Sequence, residues 1–370
     1  MIGFELLVGS EAFWERAERD IASARHRLFV QAMSFEGDRA GLKVAAAIAA
    51  SRASERRVLV DAYSTLVLSD RFVLAPASLL DPAARAESRA TRAMFAHLRN
   101  AGVKVRLTNP VGPFLWRYPA RNHRKLILAD DVVHLGGINF SDHNFTWADF
   151  MLRIEGSGPA DFLASDFSRA YDSRSQRAQA CFGPLRLLAL DGRTNAEAFS
   201  EVIALIEAAA SEITVMSPYL TFPFIAPLSR AAARGVRVRL ITPSANNKPL
   251  VRDALLFAAA KAGFETWLTP GMSHFKGLLL DRRLVVLGSA NFDFVSWSAE
   301  EELIAVIDDA PLARAFEERI VAPALVEASR PSTGTARAFL GLADEGLLRL
   351  ASLVALAARG SKRGSVDWPP

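Results

Sequence analysis

Two short stretches of this sequence carry the same set of reactive side chains. The first reads His123-Arg-Lys125-Leu-Ile-Leu-Ala-Asp130, followed by Gly136-Gly137-Ile-Asn139. The second reads His274-Phe-Lys276-Gly-Leu-Leu-Leu-Asp281, followed by Gly288-Ser289-Ala-Asn291. In extended backbone, positions i and i+2 face the same way. His123 therefore shares a face with Lys125, and His274 with Lys276, while Arg124 and Phe275 point away. A hairpin return brings Asn139 or Asn291 back beside its own pair. Each stretch then offers a nucleophile or acid, a fixed positive charge and an amide donor, and two such sets can surround the non-bridging oxygens of one phosphodiester. A metal site is disfavoured, since Lys is a poor ligand and no Cys/His spacing suits zinc. Without this duplicated setting, His26, His97, His134 and His143 are expected to be structural or surface groups.

The elements that must hold these residues also come in two copies. The first half reads as a helix near 11–24, strand 27–35, helix 41–53, strand 57–63 and, after an insertion, helix 83–100 and strand 103–108. A hairpin over 123–135, a strand over 150–155 and a helix ending near 171 close it. The second half replays the order: helix 196–210, strand 213–219, helix 225–233, strand 236–242, helix 250–262, hairpin 275–287, strand 303–308 and helix 311–325. Buried apolar strands alternating with amphipathic helices predict an α/β fold with a largely covered sheet. The polar, Arg-rich stretch 173–192 is the expected join, giving domains over 1–180 and 181–330 and an amphipathic C-terminal helix and tail over 331–370. Two similar halves are expected to pack about a pseudo-twofold axis, bringing equivalent loops to one cleft.

The paired H-x-K-x4-D and G-[GS]-x-N patterns resemble the signature motifs of the phospholipase D superfamily, and the likeness covers most of the chain. Ser34-Phe35-Glu36-Gly37-Asp38 resembles that family's early strand-end segment, Trp147-Ala148-Asp149 its W-x-D, and Ser217-Pro218-Tyr219 its second-half strand end. The run from Gly288 through Asp293 to Glu302 is most similar to bacterial cardiolipin synthases. The resemblance implies tandem α/β/α sandwich domains and a two-step displacement, without cofactor or metal, through a covalent phosphohistidine. By that likeness His123 is the nucleophile and His274 the acid/base. Lys125, Lys276, Asn139 and Asn291 would bind phosphoryl oxygens. Ser289 is a weaker phosphate donor, because its counterpart Gly137 has no hydroxyl. Asp149 and Glu302, at matching places after each motif, would accept a ring N–H and set the tautomers. Asp130 and Asp281 complete the motifs and are expected to hold the hairpins rather than touch substrate. The sequence departs from the family at Val295 and Glu300, where cardiolipin synthases commonly carry Arg and Asn. It also has one residue fewer between Asp130 and Gly136 than between Asp281 and Gly288.

The implied reaction is phosphatidyl transfer on a phospholipid, with a phospholipase D-type hydrolase or a nuclease of the same superfamily as alternatives. The 370 residues carry 44 Lys and Arg against 40 Asp and Glu, and only seven of the 44 are Lys. No long basic tract lies near the motifs, which disfavours nucleic acid. The loop 110–119, PVGPFLWRYP, and the run 220–225 put apolar bulk where acyl chains or a bilayer interface would be met. The apolar, basic-flanked stretch 336–359 is too short to span a bilayer and suits an anionic membrane surface. No signal peptide or spanning segment is read, so a cytoplasmic protein peripheral to the inner membrane is expected. Cys181, the single cysteine, excludes an internal disulfide. The oligomeric state is not legible.

Overall fold

The computed structural model describes residues 2–331, 335–359 and 365–367. They divide into two compact units, one of 2–146, 150–178 and 365–367, the other of 147–149, 179–331 and 335–359. Each unit is built on an eight-stranded mixed sheet. The strands are β1 (Gly3–Val8), β2 (Arg27–Ala32), β3 (Glu55–Asp61), the two-residue pair β4 (Val67–Leu68) and β5 (Arg71–Phe72), β6 (Lys104–Thr108), β7 (Leu126–Ala129), β8 (Val132–Gly136) and β9 (Phe150–Glu155). They continue with β10 (Ala178–Phe182), β11 (Leu185–Asp191), β12 (Glu212–Met216), β13 (Arg237–Pro243), β14 (Glu265–Thr269), β15 (Gly277–Leu280), β16 (Leu284–Gly288), β17 (Glu301–Asp308) and β18 (Ser365–Asp367).

The first sheet runs β1-β9-β8-β7-β2-β3-β6-β18 and the second β10-β11-β17-β16-β15-β12-β13-β14. Leaving aside the edge strands β18 and β10, the orders are the same. In each, three strands are parallel (β2, β3, β6; β12, β13, β14) and the motif hairpin joins them antiparallel. Strand alternation divides each core. Leu28 and Val30 face the helices Ser10–Ser23, Arg39–Ala50 and Pro82–Asn100, packing with Phe13, Val44 and Phe95. Phe29 points the other way and stacks at 4.8 Å on Phe167 of the helix Ser157–Tyr171. In the second unit Ile213 and Val215 pack with Phe199, Leu228 and Leu255, from helices Asn195–Ala208, Ile225–Ala233 and Pro249–Lys261. On its opposite face, a Cβ at Gly277 would lie 2.8 Å from the ring of Phe316, so this strand position has room only for glycine. The apolar runs read from sequence are thus sheets covered on both faces.

Several elements differ from the sequence reading. Strand β1 precedes the first helix, β11 lies inside the stretch taken as the join, and β14 was not anticipated. The tail expected as a single appendage is shared out. The helix Thr335–Arg359 belongs to the second unit, whereas β18 pairs with β6 of the first, Val366 opposite Leu107. The expected helix over 311–325 is Ala310–Phe316, a wider turn at Glu317–Val321, then Ala322–Glu327.

Candidate active-site residues

His123 and Lys125 sit in extended backbone just before β7 and are buried, Lys125 completely. The Lys125 Nζ donates to the carbonyl of His123 at 2.7 Å, which folds the ammonium back onto its own motif. Arg124 points away, its guanidinium 2.9 Å from Asp166 on the helix Ser157–Tyr171. The segment is anchored from before as well. Asp61, at the end of β3, accepts from the Arg121 guanidinium at 2.7 Å and from the Asn122 N–H at 2.6 Å. Sequence reasoning missed Asp61 and Arg121, sixty residues apart and outside any motif. β8 returns beside β7 with Leu135 opposite Leu126, so Asn139 comes back to the end of the hairpin that holds His123. Its Oδ1 accepts from the Ser34 N–H at 3.2 Å and its Nδ2 donates to Asn144 at 3.1 Å. Glu36, on the same strand-end segment, accepts from the Ser34 hydroxyl at 2.6 Å and the Ser69 N–H at 3.0 Å. Burial outweighs these bonds and pushes its carboxyl up to about 8.

The second motif repeats the lysine bond. Lys276 is completely buried and its Nζ donates to the carbonyl of His274 at 2.8 Å. The imidazole Nδ1 of His274 lies 2.8 Å from the carboxylate of Asp149. With Asp149 accepting at Nδ1, the neutral ring has its lone pair on Nε2, the nitrogen left to move a proton. Trp147 and Tyr219 flank the ring, with centroids 5.2 and 6.0 Å away. The segment 147–149 reaches this site by backbone pairing. The N–H of Ala148 donates to Met272, and that of His274 donates to Ala148 at 2.7 Å. Gly136 faces Met151 and Gly288 faces Ile304, so Asp149 and Glu302 occupy equivalent places two residues earlier. Glu302 accepts from the hydroxyls of Ser296, at 2.8 Å, and Ser289. The Ser289 hydroxyl also accepts from the Leu303 N–H, so its proton is directed to Glu302. Asn291 is buried, and its Oδ1 has no hydrogen-bond partner among the described residues.

The motif glycines and aspartates serve the hairpins. A Cβ at Gly136 would lie 2.5 Å from the carbonyl oxygen of Phe150, and one at Gly288 2.1 Å from that of Leu303. Only glycine lets the hairpin and the next strand come so close. Asp130 and Asp281 lie at the far ends of β7 and β15, roughly 20 Å along the chain from their histidines at about 3.3 Å per residue. Both have positive φ, 51° and 50°. Asp130 accepts from the N–H groups of Arg25, His26 and Arg27, and Asp281 from those of Ala210, Ser211 and Glu212 plus the Ser211 hydroxyl. Partial burial raises the Asp281 carboxyl, but these donors win and hold it at about 2. They clamp each hairpin to the start of β2 or β12. The residue missing from the first motif is taken out of the turn, since Leu126 pairs with Leu135 but Gly277 with Leu287.

The family described as cardiolipin synthase, phospholipase D-like domain, matches over 18–171 and again over 202–322. The chain belongs to that family of the phospholipase D superfamily. The likeness read from the two motifs is therefore borne out, and each match contains one complete motif with the inner strands of its sheet. Minor cardiolipin synthase ClsB of Bacillus subtilis is 31% identical over 237 residues, which is 57% of this chain and 58% of that protein, so the chain matches little more than half its length. Cardiolipin synthase B of Escherichia coli K12 is 27% identical, covering 82% of this chain and 76% of the relative. A phosphatidylserine synthase of Haemophilus influenzae has the same fold, with a TM-score of 0.72 at 15% identity over 96% of this chain and 94% of its own. Family membership leaves the unread positions open: Val295 and Glu300 lie on or beside the short helix Phe294–Ser298, and Glu300 accepts a 3.3 Å bond from Ser296.

Proposed function

We propose that the protein is a phosphatidyltransferase of the cardiolipin-synthase kind, with His123 as nucleophile and His274 as acid and base. An imidazole nitrogen of His123 attacks phosphorus, and the leaving alcohol takes the proton from His274 Nε2. The acceptor hydroxyl then returns a proton to that nitrogen as its oxygen displaces His123, which restores both rings. Asp149 holds the His274 tautomer and stabilises its protonated form. Lys125, Lys276, Asn139 and Asn291 bind phosphoryl oxygens. The observation that carries this reading is the pair of buried His–Lys units with matching internal bonds, together with the Asp149 carboxylate on the His274 imidazole.

Phospholipid is favoured over nucleic acid by exposed apolar groups in both units. Phe114 is fully exposed in the loop before the first motif, beside exposed Trp116. On the helix Thr335–Arg359, Leu347, Leu350, Leu353 and Val354 are each more than half exposed. No helix among the described residues is long and apolar enough to cross a membrane. A helix lying in the plane of an anionic interface accounts for that stripe. The test is mass spectrometry of lipid products from phosphatidylglycerol vesicles in EDTA, with His123→Ala as control. Cardiolipin formed only by the intact protein is the expected result. Phosphatidic acid would make it a hydrolase, and no lipid product would overturn the phospholipid reading.

A further inference from the structure

The inward side of the helix Thr335–Arg359 covers a cavity of about 150 Å³ within the second unit. Leu220, Phe222 and Ile225 line it from one side, Ala254 and Ala258 of the helix Pro249–Lys261 from another, and Leu348 from a third. The wall has little use for water. Thr221, its one hydroxyl, already donates to the Phe222 carbonyl and accepts from the Phe294 N–H. An apolar pocket of this size takes an apolar group about as large as benzene, roughly six carbons. The two alanines make the space, since larger side chains there would fill it.

Two further observations indicate what enters. Leu220 directly follows Tyr219, whose ring lies 6.0 Å from that of His274, so the cavity begins one residue from a side chain that flanks the candidate acid/base. Among the described residues the only charged one in the lining is Arg349, whose guanidinium sits 4.9 Å from the Phe222 ring centroid. Apolar wall, one cationic residue and nearness to the phosphodiester chemistry together describe an anionic amphiphile. We propose that this cavity is an acyl-chain slot that takes one hydrocarbon chain of the phospholipid substrate and so fixes its phosphodiester relative to His274. The slot rests on the phospholipid reading above.

The first experiment uses the full chain and phosphatidylglycerol with a diazirine on one acyl chain, with adducts mapped by mass spectrometry. Labelling is expected at 220–226, 254–258 and 348–349, and Ala258→Trp, which fills the space, should reduce it at least fivefold. Adducts confined to the outward Leu347, Leu350 and Leu353, or unchanged in Ala258→Trp, would overturn the slot. Melting temperatures establish that the variant is folded, and Ala254→Leu is the milder filling should Ala258→Trp melt early. Kinetics form a second arm. Ala258→Trp should raise KM for long-chain phosphatidylglycerol about tenfold, the worth of roughly two buried methylenes. Turnover of a chain-free glycerophosphodiester should be unchanged. Labelled slot peptides without any lipid turnover would refute the enzymatic reading and leave the slot standing. Lipid turnover with equal KM in both proteins would refute the slot and leave the reaction standing.

Discussion

The two motif regions share a lysine that bonds to the carbonyl of its own histidine, yet their asparagines are used differently. In the first, Asn139 is spent on Ser34 and Asn144, and the motif is further tied down by Asp61 through Arg121 and Asn122. In the second, the Asn291 Oδ1 has no partner among the described residues, while His274 has a carboxylate on Nδ1 and the rings of Trp147 and Tyr219 close by. Repetition has preserved the charged pair and let the surroundings diverge. Asp61 holds the backbone before the first motif, and in the second motif the Asp149 carboxylate sets the tautomer of the imidazole. Under the roles proposed above, these features would place the nucleophile and tune the acid/base.

The largest effect that tests this contrast comes from the histidines. Either His123→Ala or His274→Ala should lower transfer by at least about 10⁴-fold. With a phosphodiester bearing a good leaving group, His274→Ala should still trap a phosphoenzyme and His123→Ala none. The reverse pattern in intact-protein mass spectra would exchange the two roles. Next, Asp149→Asn should cost about 10²-fold in kcat with little change in KM. Without that carboxylate the imidazolium is less stable, so the alkaline limb of the kcat/KM profile, set by His274 as the acid, should move to lower pH. An unshifted profile would reduce Asp149 to a packing residue. Third, Asn291→Ala should cut activity about tenfold with an unchanged melting temperature, whereas Asn139→Ala should destabilise by about 1 kcal/mol through its lost bonds. Equal melting effects would erase the distinction.

Two smaller effects concern stability. Asp281→Asn should destabilise by about 1–2 kcal/mol after allowing for solvent screening, with activity per folded molecule retained. The folded carboxyl sits at about 2, below its ordinary 3.8, so this contribution is present at neutral pH and fades as pH falls from about 4 to 2. Thermal melts of both proteins across that range measure it. Glu36 has the opposite sign. Its folded carboxyl is raised to about 8, so wild-type stability should decline as pH rises from about 4.5 to 8, and Glu36→Gln should flatten that slope.

Much of this was legible in the sequence because the reactive residues recur at fixed spacing. His123, Lys125, His274 and Lys276 stand out by pattern alone, and period-two and period-3.6 apolar runs marked most of the inner strands and helices. The strands that escaped are those at or near sheet edges. Leu185–Asp191 reads LRLLALD, in which leucines suit a helix as well as a strand, and pairing with β17 decides the matter. Glu265–Thr269 is five residues with a single fully apolar stretch, too short to show a period. The partners of His274 were harder. Asp149 was marked as a ring-orienting group, but its histidine is 125 residues away, and nothing local tells which ring it meets. Asp61 and Arg121 left no trace, since an ion pair between distant ordinary residues has no spacing to recognise.

The chain passes four times between its units, and this bears on how the protein is made. Residues 147–149, from the earlier part of the chain, pair with Met272 and His274, while 365–367, from its last part, complete the sheet begun by 104–108. A ribosome therefore delivers a first unit still lacking its edge strand, and a second unit whose Asp149 emerged long before the histidine it serves. Loop closure over such separations is slow relative to local structure. Completion of both units falls to a late, concerted stage, after which cutting the gene between its repeats would yield two incomplete proteins.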